Sequence, residues 1–143
     1  GLLPKDRKAR AHCRAICGEM HSGFGSLRSA LPMNLKAHFP GFKVWARAQS
    51  DIDRIVTIWR ECLEEYGGPY LFGELSAADA MYAPVVARLH SYGLKVGDGA
   101  CNYMDAVMAL PAWAEWRTAA LKESWILKDD EPEWPLVRGV PVA

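Results

Sequence analysis

Charge of one sign is what this sequence most plainly lacks. Its 17 lysine and arginine residues are balanced by 17 aspartate and glutamate residues, for a formal net charge of zero. No basic surplus recruits DNA, RNA or an anionic membrane. Long apolar runs are missing too: no uncharged stretch approaches the roughly 18 residues of a membrane span. The opening Leu2-Leu3-Pro4-Lys5-Asp6-Arg7 is not a secretory leader. Alternating apolar stretches are absent and β-branched residues few, which leaves no strand signal. Nucleophilic triads, phosphate-cradling glycine loops and paired-carboxylate motifs are absent as well. Cysteine is sparse, with 4 residues. Cys13, Cys17, Cys62 and Cys101 sit in helical patterns among apolar neighbours. They read as reduced, mostly buried thiols of a cytosolic protein rather than a disulfide framework.

What is present is a core-forming pattern. Half of the 143 residues are hydrophobic, and a single domain of this length buries roughly 70% of its unfolded surface. The spacing predicts five helices. The first covers 6–30, between Pro4 and Pro32, with Cys13, Ile16, Cys17, Met20, Phe24, Leu27 and Leu31 as its apolar stripe. A second covers 44–66, its apolar stripe running from Trp45 to Tyr66, and stops at Gly67-Gly68. Three more cover 77–92, 99–109 and 111–123. Residues 124–143 hold Trp125, Trp134 and three prolines, and read as an extended tail pinned by aromatics. The fold class is therefore all-α, a helical bundle built on two long antiparallel helices.

The most explicit local chemistry lies at Leu75-Ser76-Ala77-Ala78-Asp79. Ser76 is placed to accept the amide of Asp79, and Asp79 to accept the amide of Ser76. That is a capping box with aspartate in the usual Glu/Gln position, its carboxylate at the positive end of the helix dipole. Pro84 follows inside the same helix, where it removes a donor and bends the axis. Ser76 and Asp79 are structural in this reading. The box, its glycine-aromatic lead-in (Gly67-Gly68-Pro69-Tyr70-Leu71-Phe72-Gly73) and the interior proline together resemble the C-terminal, all-helical domain of glutathione transferases.

A second stretch supports the resemblance. Glu19-Met20-His21-Ser22-Gly23-Phe24-Gly25-Ser26-Leu27 is similar to the first-helix motif of beta-class bacterial glutathione transferases. There the histidine lies beside glutathione, a role that would fall to His21. The family lysine that follows is Ser22 here. The polar residue seven positions earlier, which reaches the partner subunit's glutathione, is Arg14 in place of asparagine. From the residues alone, Arg7, Arg14, His21 and Arg28 recur every seven positions and form one narrow basic edge. Such an edge is either simply solvated or suited to the carboxylates of a peptide ligand. His12, Cys13, Cys17 and His21 include i, i+4 pairs but lack the further ligands a metal site needs. Cys17 reads as a packed core thiol ahead of a reactive one. Met20, Phe24, Trp113 and Trp125 read as core residues by pattern; the resemblance makes them a substrate pocket.

The resemblance carries further expectations. It covers essentially the whole chain, with 1–4 as an interdomain linker remnant and the thioredoxin-like N-terminal domain lying outside it. It implies glutathione as a substrate and a hydrophobic electrophile as its acceptor. A homodimer, a detoxifying role and a cytoplasmic location belong to the same picture. No catalytic residue is expected within these residues, and the chain alone is expected to be inactive. The competing class is a non-catalytic, transferase-like protein-interaction module.

Overall fold

A computed structural model describes residues 1–135 and the backbone of Val137 and Arg138. Six α-helices occur among the described residues: α1 (Arg7–Ser22), α2 (Gly25–Ala30), α3 (Ala46–Tyr66), α4 (Ala77–Ser91), α5 (Asp98–Met108) and α6 (Pro111–Lys122).

The expected first helix is two. Asp6 caps α1, its Oδ1 accepting from the Ala9 amide at 2.8 Å. The stripe Ala9, Cys13, Ile16 and Met20 goes into the core. At Gly23 the chain turns so tightly that a Cβ there would lie 2.7 Å from the Glu19 carbonyl oxygen. Phe24 then takes a left-handed conformation, φ 58°, unusual for an aromatic residue. Six residues of α2 follow. The Leu27 amide, in the first turn of α2, donates to Asp51 Oδ2 of α3 at 2.8 Å. A carboxylate at the positive end of a helix dipole, and a satisfied orphan amide, allow so short a helix to start. Helical periodicity survives the break, which is why the apolar spacing conceals it.

Cross-links between the first segment and α3 fix their antiparallel sense. Lys8 pairs with Glu65 at 2.9 Å, His12 Nδ1 meets the Tyr66 hydroxyl at 2.9 Å, and Arg54 grips both Glu19 oxygens at 2.8 and 3.0 Å. The two long helices of the expectation are present in this sense. Trp45, expected on the apolar stripe of α3, instead stands before its first turn and is 58% exposed.

Between these elements lies α4, the central helix. Ala78, Asp79, Tyr82, Val85, Val86, Ala87 and Leu89 are all buried, so it has little polar face. A helix apolar on most sides belongs in the interior. The capping box is in place. The Ser76 amide and hydroxyl both donate to Asp79 Oδ2 at 2.8 Å, and the Leu71 amide donates to Oδ1 at 3.0 Å. The next amide, Ala77, donates to the Leu2 carbonyl at 2.7 Å. Trp59 from α3 meets Tyr82 and Tyr103 edge-on, closing the core around α4.

The tail departs from expectation in two ways. It holds a 3₁₀ turn at Lys128–Asp130, and Val137–Arg138 (β2) pairs antiparallel with Ala37–His38 (β1). Two residues per strand leave no alternation to read in the sequence. Trp134 does pin the tail, donating to the Pro40 carbonyl at 3.1 Å and meeting Phe42 edge-on. Trp125 does not: it is 82% exposed. Residues 136 and 139–143, part of the expected tail, lie outside the described residues.

Candidate functional site: a groove beside the α1–α2 break

His21 and Arg14 both lie on the exposed side of α1. Among the described residues neither makes a side-chain hydrogen bond or ion pair. Arg7 is likewise exposed. The fourth member of the heptad series, Arg28, leaves the edge because the helix breaks before it. Its guanidinium turns back on the end of α1, with Nη1 3.4 Å from both the Met20 and His21 carbonyls. A cation at the negative end of a helix dipole is favourable there. The basic edge is thus Arg7, Arg14 and His21, with Arg28 closing its end.

Arg28 also links that edge to a groove of about 530 Å³. One wall comes from the loop after α2, with Met33, Asn34 and Lys36. The other comes from Trp116 of α6 and from Trp125, Ile126 and Leu127 of the tail. The floor includes Arg88 of α4. Arg88 Nε donates to the Leu31 carbonyl at 2.9 Å and Nη1 to the Pro84 carbonyl at 3.1 Å. Burial, and then Arg28 nearby, pull its pKa below the ordinary arginine value; arginine remains charged all the same.

The four residues expected to form a substrate pocket are not brought together. Met20 and Phe24 are 6% and 7% exposed and sit inside the core cluster rather than lining a cavity. The left-handed turn at Phe24 directs its ring inward. Trp125 lines the groove. Trp113 lines a separate cavity of about 360 Å³, with His90, Asp105 and Arg117. Burial first, then His38 and Arg117, lower the His90 pKa. Sequence reasoning did not single out Arg88 or Lys36, and it expects Trp116 on the buried face of the last helix, where the residue is instead 40% exposed. The signal for Arg88 was available: it is an arginine inside Val85-Val86-Ala87-Arg88-Leu89, on a helix otherwise read as buried.

The thiols are not poised for nucleophilic attack. Cys17 is partly buried, and burial together with Cys13 pushes it up to about 11. Burial raises Cys62 to about 12. A thiol needs to ionise to react. Cys101, expected among mostly buried thiols, is exposed. No cluster of three or more metal-ligating side chains occurs among the described residues, and no helix among them is long and apolar enough to cross a membrane. The Tyr103 phenol is buried near Asp79. Burial and that charge push its pKa well above its usual value, although its hydroxyl forms no well-aligned hydrogen bond.

Comparison with known proteins places this geometry in a family. Residues 42–119, more than half of the chain, match the model for the C-terminal domain of glutathione S-transferase. The chain belongs to that domain family. Among solved structures it is similar to a glutathione transferase homologue from Burkholderia gl BGR1 determined with bound glutathione. The TM-score is 0.58 and the identity 22%, over 84% of this chain and 55% of that one. The chain therefore spans just over half the length of that neighbour. No curated protein matches it.

Proposed function

We propose that this chain is the substrate-side half of a glutathione transferase, in which glutathione is conjugated to a hydrophobic electrophile. The observation that carries the reading is the placement of His21. Its imidazole stands exposed and without a hydrogen-bond partner among the described residues at the end of α1, while its carbonyl accepts from Arg28. Arg28 joins that end to a groove of ligand size, about 530 Å³. Family membership supports the reading, as does the glutathione bound to a structural neighbour.

In this reading His21 and Arg14 touch glutathione, as donors for its polar groups, and the groove with Trp125 holds the electrophile. A thioredoxin-like domain in cis holds the tripeptide and supplies the group that stabilises its thiolate. The raised pKa values of Cys17 and Cys62 fit a chain that does not supply the nucleophile itself. The sulfur of the glutathione thiolate attacks the electrophile and displaces its leaving group. A homodimer, a cytoplasmic location and a detoxifying role belong to the same proposal.

The test is His21→Ala in the full-length protein. Glutathione affinity should fall several-fold while the melt stays within about 0.5 kcal/mol, as for an exposed side chain. Equal affinity in variant and parent would remove His21 from the site. A large loss of stability would make it a structural residue.

A further inference from the structure

Arg28 and Arg88 face the same groove, and neither has an anion. Among the described residues no carboxylate lies within 4.0 Å of either guanidinium; the ion pairs found there involve Lys8, His12 and Arg54. Their hydrogen bonds go to backbone carbonyls of residues 20, 21, 31 and 84. Arg88 is partly buried, and burial first and then the unneutralised Arg28 beside it weaken its hold on its proton. Two adjacent, uncompensated cations lower their energy by taking up an anion. The planar guanidinium fork matches a carboxylate in particular.

The rest of the lining specifies the body of such a ligand. Met33, Trp116, Trp125, Ile126 and Leu127 make much of the wall apolar, and all five are 40% or more exposed. Indole faces so exposed suit a flat or aliphatic group. Glu123, Asp130 and Glu131 also line the groove. Glu123 and Asp130 form no ion pair with either arginine, and their charges disfavour a second negative charge on the ligand.

We propose that this groove binds an amphipathic monocarboxylic acid, its carboxylate between Arg28 and Arg88 and its apolar body against Trp116 and Trp125. As the electrophile's acid group this deepens the transferase reading and rests on it. The binding step itself requires no glutathione, so the two can fail separately.

The probes are 1-naphthaleneacetate, its neutral amide and 1-naphthyl phosphate. Each is titrated into the 143-residue chain without glutathione and followed by calorimetry and tryptophan emission. The acid should bind about tenfold more tightly than the amide, the scale of one charge-assisted hydrogen-bonded pair, and its affinity should fall with added salt. The phosphate, a dianion at pH 8, should bind more weakly than the acid. Arg28→Gln should cost the acid about tenfold and leave the amide unchanged. Because Arg88→Gln also removes a bond to the Leu31 carbonyl, Arg88→Lys accompanies it and should retain part of the acid's affinity. Equal binding of acid and amide, no binding of either, or acid affinity indifferent to Arg28→Gln overturns the proposal. Tighter binding of the phosphate overturns the assignment to a monocarboxylate. Absence of conjugation by the full-length protein, with acid binding intact, would refute the transferase reading alone.

Discussion

At the start of α4 a charged side chain is 1% exposed, and at the start of the tail an indole is 82% exposed. Both reverse what residue type alone dictates. Asp79 is tolerated inside because its two oxygens accept from the amides of Leu71 and Ser76 and from the Ser76 hydroxyl. A buried carboxylate so supplied also organises three segments at once: the lead-in loop, the cap residue and the helix. Trp125 meets no such demand. Its neighbours across the groove leave one face open, and the residues that pack the tail are further on, at Trp134. Satisfied polarity fixes position more firmly than apolar surface does, because an unpaired buried donor is penalised wherever it goes.

The sharpest way to break that comparison is Asp79→Ala. It leaves the buried Leu71 and Ser76 amides without an acceptor and removes a negative charge from the helix N-terminus. Buried unsatisfied donors cost about 1–3 kcal/mol each, and loss of a cap about 0.5–2 kcal/mol. A combined loss of about 3–5 kcal/mol is expected, lowering the melting temperature by about 10 °C. Asp79→Asn, which keeps one acceptor, should lose less. A shift below about 2 °C for the alanine variant would mean that water reaches these amides and that the cap is not an internal anchor.

A smaller effect separates core from pocket at Phe24. The ring is in the core cluster and the backbone is left-handed at φ 58°. Phe24→Ala should cost about 3 kcal/mol, at the lower end for a buried aromatic residue. Phe24→Gly removes still more apolar surface but relieves a conformation that costs an L-residue roughly 1–2 kcal/mol. The glycine variant should therefore melt no lower than the alanine variant. Alanine and wild-type melts that coincide would return Phe24 to the wall of a cavity.

These two positions also show what could be read in advance. The cap at Ser76 and Asp79 was legible because its chemistry is local: two residues three apart satisfy each other's backbone. The all-α class and the antiparallel pair were legible because apolar spacing reports a buried face directly. The break at Gly23-Phe24 was not, since the spacing Met20, Phe24, Leu27 is the same for a continuous helix and for two helices with a two-residue turn. What decides it is long-range: Asp51, on another helix, supplies the acceptor that starts α2. The same holds for the groove. His21 and Arg14 could be picked out from a motif, but Arg28 and Arg88 are 60 residues apart in sequence and meet only when α4 packs against the end of α2. Trp113 and Trp125 look alike on paper, yet the fold sends them to different cavities.

The smallest expected effect sharpens the comparison within the tail itself. Trp125 and Trp134 are nine residues apart in one proline-rich stretch, and composition gives no reason to treat them differently. Trp134 donates its indole hydrogen to the Pro40 carbonyl and rests edge-on against Phe42, which in turn meets Tyr92. Trp134→Ala gives up one hydrogen bond of about 1 kcal/mol and an aromatic contact of about 0.5–1.5 kcal/mol, so a melt lowered by several degrees is expected. Trp125→Ala gives up almost no buried surface and should stay within about 0.5 kcal/mol of the parent. Its mark should be optical: an indole in water emits to the red and is open to iodide, so the variant should lose the most quenchable part of the emission. Equal destabilisation by the two substitutions would mean that Trp125 packs in solution. The groove would then be narrower than the structure shows, and its apolar wall already occupied by the tail.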